Sequence, residues 1–308
     1  MSNRLLTHDA LIYDSEPAFV ETVVPFIEEG LAAGEGILVA TSPGNTALLR
    51  EAMSDDGGRI VFADGSDVYQ RPETAVAAYD SALRSLAAQG YRAVRAIGEV
   101  QHGTGRLERW LPYEPVADRV FSDRPLWVVC PYDARTLPGW LIEHAKRTHS
   151  FIFGPQRERS RTFVEPEQLM ASLRPAPSDL VPNGPPLVQH AARGNLRELR
   201  SAIIANTKGA EPQVAERIVT VVNELATNVI KHGGGTAYVS LWKVPAGYVA
   251  DVVDPGGRLD DAFAGYRPPP NPATGGVGLW LARQMSDEFT LLGGRGLTIR
   301  VGFESRPA

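Results

Sequence analysis

The chain has 308 residues, 43% of them hydrophobic and 22% charged, with a formal net charge of −5 at pH 7. At roughly 150 residues per domain this is material for two packed domains. Mild acidity without a basic block excludes a dedicated binder of nucleic acid or anionic membrane, and the lone cysteine, Cys130, excludes an intramolecular disulfide or a multi-cysteine zinc site and suits a reducing compartment.

No apolar run approaches the roughly 18 residues of a membrane span, and the opening MSNRLLTHDALIYDSEP lacks the apolar core of a secretory signal, so a cytoplasmic protein is expected. The first half alternates short apolar runs with amphipathic stretches. The runs are Gly36–Ala40, Arg59–Ala63, Ala93–Ile97 and Pro125–Cys130; the predicted helices are Glu16–Ala33, Asn45–Met53 and Pro72–Gln89. Strands separated by helices imply an α/β domain with a parallel sheet. The turn after the first run, Thr41–Ala47, lies where such a domain would place a phosphate loop, yet it has no Gly-Lys-Ser/Thr, so ATP hydrolysis is not expected there.

Six prolines fall in the 21 residues from Pro166 to Pro186. Proline removes amide donors and keeps its predecessor out of the helical region, so residues 161–185 read as a linker, with one short helix at Glu167–Leu173. It divides an N-terminal domain, residues 1–160, from a C-terminal one, residues 186–308. In the second the expected elements are a strand at Pro186–Ala192, helices at Asn195–Thr207 and Gln213–His232, and strands at Thr236–Val244 and Tyr248–Val253. A loop rich in Pro and Gly, Asp254–Thr274, then leads to a helix at Gly278–Asp287 and a hairpin of Phe289–Leu292 with Gly296–Phe303. Strands joined by short turns, with helices gathered elsewhere, imply an α+β sandwich.

Three segments of the second half carry chemistry. Glu224 and Asn228 in NELATNVIKHG are four residues apart, so they share one helix face while Val221, Leu225 and Val229 occupy another. A carboxylate beside an amide carbonyl suits Mg2+, a hard cation that takes oxygen ligands, with Asn228 as ligand and Glu224 as base; the same pair is equally at home on a solvated helix face. Asp254, with Gly256 and Gly257, ends an apolar strand. Its carboxylate could accept the exocyclic amino hydrogen of adenine, although Asp-Pro-Gly is also ordinary turn sequence. Finally, Gly275, Gly276 and Gly278 lead into a helix through Leu279, which turns backbone amides and the positive dipole end toward an anion such as a phosphate chain. Lys231 and His232 read as cations complementing the end of the long helix, with Gly233 as its cap.

In this order and on these elements, NELATNVIKHG, DPGG and GGVGLWLARQMSDEF resemble the GHKL (Bergerat, HATPase_c) ATPase superfamily, within it the anti-sigma-factor serine kinase branch. LVQHAARGNLRELRSAI is similar to that branch's first strand and helix. The resemblance implies ATP and Mg2+ as cofactors, Glu224 as catalytic base, Asn228 as Mg2+ ligand, Asp254 with Gly256 as adenine contacts, and Gly275, Gly276, Gly278 and Leu279 as lid and phosphate contacts. One departure is that the two glycines after Asp254 are adjacent, where the family often shows Asp-x-Gly-x-Gly.

The first half resembles the MEDS (methanogen/methylotroph sensory) domain through His8 with Leu11-Ile-Tyr13, the segment Val24–Gly36, Ile97-Gly-Glu99, Cys130-Pro-Tyr-Asp133 and His149. That implies a RecA-like sheet without a Walker loop and a small-molecule sensor. His8, Glu99, Cys130 and His149 are its candidate ligand or metal site, the strand ends lining a crevice; a buried thiol with capping or surface histidines is the plainer reading.

The two resemblances imply a cytoplasmic switch. Its ATP domain would be a serine/threonine protein kinase acting on a STAS-type anti-sigma antagonist and would sequester a sigma factor, as a homodimer, biased by the sensory domain. An ATP-binding module that captures a partner without phosphoryl transfer is the alternative. A histidine kinase is a third reading, but it needs a helical hairpin bearing a phosphoacceptor, and the stretch before the ATP domain is broken by prolines.

Overall fold

The structure, a computed structural model, describes residues 5–53, 58–101, 107–173, 181–259, 261–267, 277–292 and 296–305. The chain divides into two units, Met1–Leu173 and Arg174–Ala308.

The first unit begins with β1 (Thr7–Tyr13), α1 (Glu16–Ala32), β2 (Gly36–Thr41), α2 (Pro43–Ala52), β3 (Ile60–Asp64), the single turn α3 (Gly65–Val68), α4 (Pro72–Ala88) and β4 (Val94–Gly98). It continues through α5 (Tyr113–Val120), β5 (Leu126–Asp133), α6 (Gly139–Thr148), β6 (Phe151–Ile152), β7 (Glu158–Arg159) and α7 (Pro166–Ser172). The sheet runs β3-β2-β4-β5-β1-β6-β7, parallel throughout except for the antiparallel pair β6 and β7. Both the parallel sheet and its helical cover follow from the alternation of runs in the sequence.

Local chemistry sets the helix starts. The Ser15 hydroxyl accepts the Ala18 N–H at 3.3 Å, and Ser42 does the same for Asn45 at 3.3 Å; each helix carries a proline in its first turn, where no intrahelical donor is lost. That cap is why α2 begins two residues before the expected Asn45. Helix α1 buries Phe19, Val23, Phe26 and Ile27 at helical spacing. They pack with Leu11, Tyr13, Val39, Ile97 and Val129 from one face of the sheet. The opposite face meets α4 and α5 through aromatic side chains, with Tyr69 and Tyr79 sharing a 2.8 Å hydroxyl hydrogen bond.

Strand β1, helices α5 and α6 and the short pair β6 and β7 were not among the elements expected from sequence. Helix α5 follows Pro112 at its N-cap and contains Pro115. Both fall at its start, where proline costs nothing because the first-turn amides have no intrahelical partner. Helix α7, expected within the linker, lies on the first unit's side of the division, with Leu169 fully buried. Pro175 and Pro177 of the linker lie outside the described residues.

The second unit contains β8 (Val188–Ala192), α8 (Arg197–Asn206), α9 (Pro212–His232), β9 (Ala237–Val244), β10 (Gly247–Asp254), α10 (Val277–Met285), β11 (Glu288–Leu292) and β12 (Leu297–Glu304). Its sheet is antiparallel, in the order β11-β12-β10-β9-β8. The unit is thus an α+β sandwich. Strand β8 starts at Val188, not Pro186, consistent with proline having no N–H for the ladder. Val214, Ile218, Val221, Val222, Leu225 and Val229 form the buried stripe of α9 against Val239, Leu241, Ala250, Val252 and Val301 of the sheet. At about 25 cal/mol per Å2 of apolar surface, burial of such a stripe dominates the stability of the unit.

Candidate functional site

The stripe that seats α9 on its sheet leaves Glu224 and Asn228 on a half-buried flank. Neither side chain makes a hydrogen bond or ion pair with a described residue. The first turn of α10 packs directly on them: a Cβ added at Gly278 would stand 2.9 Å from Asn228 Nδ2, 3.0 Å from Glu224 Oε2 and 3.3 Å from Asn228 Oδ1. The absent side chain lets the backbone of α10 approach a carboxylate and an amide whose polar atoms stay uncommitted. Leu279, the next residue, packs on the unit's core. Gly275 and Gly276 lie outside the described residues.

Asp254 ends β10 and is 3% exposed. Its carboxylate accepts the Gly234 N–H at 3.1 and 3.2 Å and the Gly256 N–H at 3.2 Å, so the strand end is tied to the turn that follows α9. Gly233 and Gly257 are needed for clearance. A Cβ at Gly233 would run onto Asp254 Oδ2 and one at Gly257 would stand 2.5 Å from its Cγ, whereas at Gly256 nothing lies within 4 Å. Gly233 does cap the helix, but with φ −108°, outside the left-handed region. Lys231 and His232 occupy the last turn. Along α9, Asn228 lies about 6 Å and Glu224 about 12 Å before His232, at 1.5 Å per residue, so Asn228 is the nearer of the two to the helix end where the aspartate is tied.

The described part of the Pro- and Gly-rich loop is stitched to α10. Arg283, 3% exposed, donates from Nε to the Ala264 carbonyl at 3.0 Å and stacks over Tyr266 at 3.9 Å and Phe289 at 4.1 Å.

In the first unit, His8, Cys130 and His149 come together, and the carboxylate that joins them is Glu114 of α5. Glu99 does not. Register explains the difference: Ala10 pairs with Cys130 and His8 with Val128, which puts His8 and Cys130 on one face of the sheet, while Glu99 continues the parity of Ile97 and Val129 on the other. The cluster therefore sits within the layers, beneath α5 and the end of α6, and not in a crevice at the strand ends. His8 Nε2 lies 3.2 Å from Glu114 Oε2 and 3.4 Å from Cys130 Sγ, and His8 Nδ1 lies 3.3 Å from Asp118 Oδ1. The Tyr132 hydroxyl donates to Glu114 Oε1 at 2.8 Å.

Burial alone would lower the His8 pKa, but Cys130 and hydrogen bonds to Asp118, Cys130 and Glu114 outweigh it and leave the group well above the usual histidine value. Burial would raise Glu114, yet the His8 hydrogen bond and the two histidine charges bring it down to about 2. Burial pushes the Cys130 thiol up to about 11 and, with His8 beside it, takes His149 down to about 4.

Glu99 instead accepts the Ser42 N–H at 2.7 Å and an Asn45 Nδ2 hydrogen at 3.0 Å, with Tyr13 Oη 2.9 Å from the same nitrogen. It occupies the N-terminus of α2, the place where a nucleotide-binding sheet would hold a phosphate. A cleft lined by Glu99, Gln101, Asp133 and Thr136 opens beside it. Glu114, Asp118 and Tyr132 were missed from sequence. The i,i+4 spacing of Glu114 and Asp118 was the signal for the first two, while Tyr132 stood inside the Cys130–Asp133 segment without a role of its own.

A sensor-type α/β unit joined to an ATPase-type sandwich defines the class: a regulatory, kinase-like ATPase. Residues 7–150 match MEDS, the methanogen/methylotroph, DcmR sensory domain, and residues 188–303 match the histidine kinase-like ATPase domain. The chain thus carries a MEDS domain followed by a domain of the histidine kinase-like ATPase family. No curated protein matches it. Domains of the second kind bind ATP, usually with Mg2+, and the residues present fit that group: uncommitted oxygens at Glu224 and Asn228, a glycine that brings the α10 backbone close to them, and a buried aspartate held by backbone amides. Among the described residues, no helix is long and apolar enough to cross a membrane.

Proposed function

We propose that the chain is a cytoplasmic anti-sigma regulatory factor whose second unit transfers phosphate from ATP to a serine or threonine of a STAS-type anti-sigma antagonist. As a homodimer it also sequesters a sigma factor, and the first unit biases the switch by binding a small molecule. The observation that carries the reading is the packing of Gly278 against Glu224 and Asn228. It brings the first and third sequence motifs into contact, with Asp254 at the same end of α9.

Mg·ATP supplies the phosphoryl group and neutralises its charge when bound. Asn228 would hold the ion through Oδ1, Asp254 would accept the adenine amino hydrogen, and the amides leading α10 would face the phosphates. Glu224 would serve as base, taking the proton of the substrate hydroxyl as that hydroxyl's oxygen displaced ADP from the γ-phosphoryl group. Positioning and electrostatics carry most of such a transfer, and a well-placed base adds roughly 10²–10⁴-fold.

The test incubates the full chain with candidate antagonists and labelled Mg·ATP. An acid-stable label on a serine or threonine of one antagonist, lost in Asn228→Ala, is expected. No label on any candidate while calorimetry shows ATP bound refutes the kinase reading, and an acid-labile label on the chain itself points to a histidine kinase.

A further inference from the structure

The first unit holds a cluster of metal-ligating side chains that the proposed switch does not use. His8, Glu114, Cys130 and His149 are all buried, and one ligand atom from each lies within 4.8 Å of every other. Hydrogen bonds fix which atoms face inward. His149 Nδ1 lies 2.9 Å from the Ala145 carbonyl oxygen, which can only accept, so Nδ1 carries the proton and Nε2 carries the lone pair. That Nε2 is buried and has no hydrogen-bond partner among the described residues; it points at Glu114 Oε2, 3.8 Å away. An orphaned lone pair in a native core carries the full desolvation penalty and points to an occupant. His8 is oriented the same way, since its Nδ1 faces the Asp118 carboxylate at 3.3 Å and its Nε2 turns to Cys130 and Glu114.

We infer that these four residues form a closed binding site for one zinc-class divalent ion. Zn–N and Zn–O distances of about 2.0–2.1 Å and one Zn–S distance of about 2.3 Å give a tetrahedron with edges of about 3.3–3.6 Å. Four of the six edges are 3.2 Å for His8 Nε2 to Glu114 Oε2, 3.4 Å for His8 Nε2 to Cys130 Sγ, 3.8 Å for His149 Nε2 to Glu114 Oε2 and 4.0 Å for Cys130 Sγ to Glu114 Oε2, and all six are within 4.8 Å, so the ligands would draw in slightly around an ion. Two imidazoles, a thiolate and a carboxylate suit Zn2+ over Mg2+ or Ca2+, which prefer all-oxygen sets. Asp118 on His8, the Ala145 carbonyl on His149 and Tyr132 on Glu114 supply the outer hydrogen bonds that orient metal ligands. All four positions come from the protein and none is open to solvent, so the ion would bolt α5 and the α6–β6 junction onto β1 and β5. Its loading would thereby set the rigidity of the sensory unit.

The experiment uses the full chain, stripped with a chelator and titrated with Zn2+ or Co2+ alone. Expected are about one ion per chain by elemental analysis and, with Co2+, a thiolate charge-transfer band alongside intense tetrahedral d–d absorption. The charge-transfer band should vanish in Cys130→Ser. Tyr132→Phe, which keeps every ligand, should weaken Zn2+ binding by about 10–100-fold, and Glu99→Gln should change nothing. Folded wild-type protein that takes up neither ion overturns the inference, as does uptake that Cys130→Ser and His149→Gln leave intact. Because the wild type alone decides the first point, a variant that fails to fold does not shield the proposal.

Discussion

Two adjacent glycines, Gly256 and Gly257, should respond oppositely to alanine. At Gly257 the new Cβ would run into the Asp254 carboxylate, 2.5 Å from Cγ and 2.7 Å from Cβ, while at Gly256 nothing lies within 4 Å; neither residue has a positive φ, so backbone strain does not enter. Overpacking of this kind costs about 1–3 kcal/mol. The alternative relaxation swings Asp254 away and breaks its bonds from Gly234 and Gly256, at about 1.5–3 kcal/mol for hydrogen bonds to a charged group. Either way the penalty falls on the aspartate expected to read adenine. If it is met by moving Asp254, ATP affinity should drop by about 5–150-fold, since about 1.4 kcal/mol is tenfold. Gly256→Ala should stay within about 0.5 kcal/mol in stability and keep ATP binding, because its amide remains. Urea denaturation and ATP titration calorimetry on both variants provide the comparison. Equal behaviour of the pair would refute the claim that Gly257 exists to seat Asp254.

Asn228→Ala should leave folding intact and abolish the gain in ATP affinity that Mg2+ confers, read by titration with and without the ion. Glu224→Gln should retain ATP affinity but slow single-turnover transfer by about 10²–10⁴-fold; partner regulation surviving that change would favour capture without transfer. In metal-free protein, His149 titrates near 4 when folded and near 6.5 when unfolded, so the stability it contributes is present above pH 6.5 and lost as pH falls toward 4. His8 has the opposite sign: its folded value is raised, so its contribution is complete below 6.5 and disappears as pH rises through that raised value. Thermal denaturation of the first unit should therefore peak around pH 6.5, and His149→Gln should flatten the acid limb. A monotonic profile would count against the buried pair.

Much of this was readable in the residues. The stripe from Val214 to Val229 announced α9 and left Glu224 and Asn228 on its flank, and the alternation of apolar runs announced the parallel sheet. What escaped depended on partners distant in sequence. Gly233 reads as a helix cap, and only the fold shows it making room for an aspartate on another element. Glu114 lies on α5, which was not among the expected elements, and it meets His8, Cys130 and His149 only through contacts distant in sequence. Glu99 was grouped with Cys130 because both lie near strand ends, but a period of two sends them to opposite faces once strand pairing is known.

The seat of Glu99 on the first turn of α2 has a further consequence. A tethered anion is present at very high effective concentration, and a freely diffusing phosphate must displace it before pairing with the Ser42 N–H and the Asn45 side-chain amide. The α2 terminus is thus already satisfied by an anion of the chain's own, and an incoming phosphate would gain there only what Glu99 gives up.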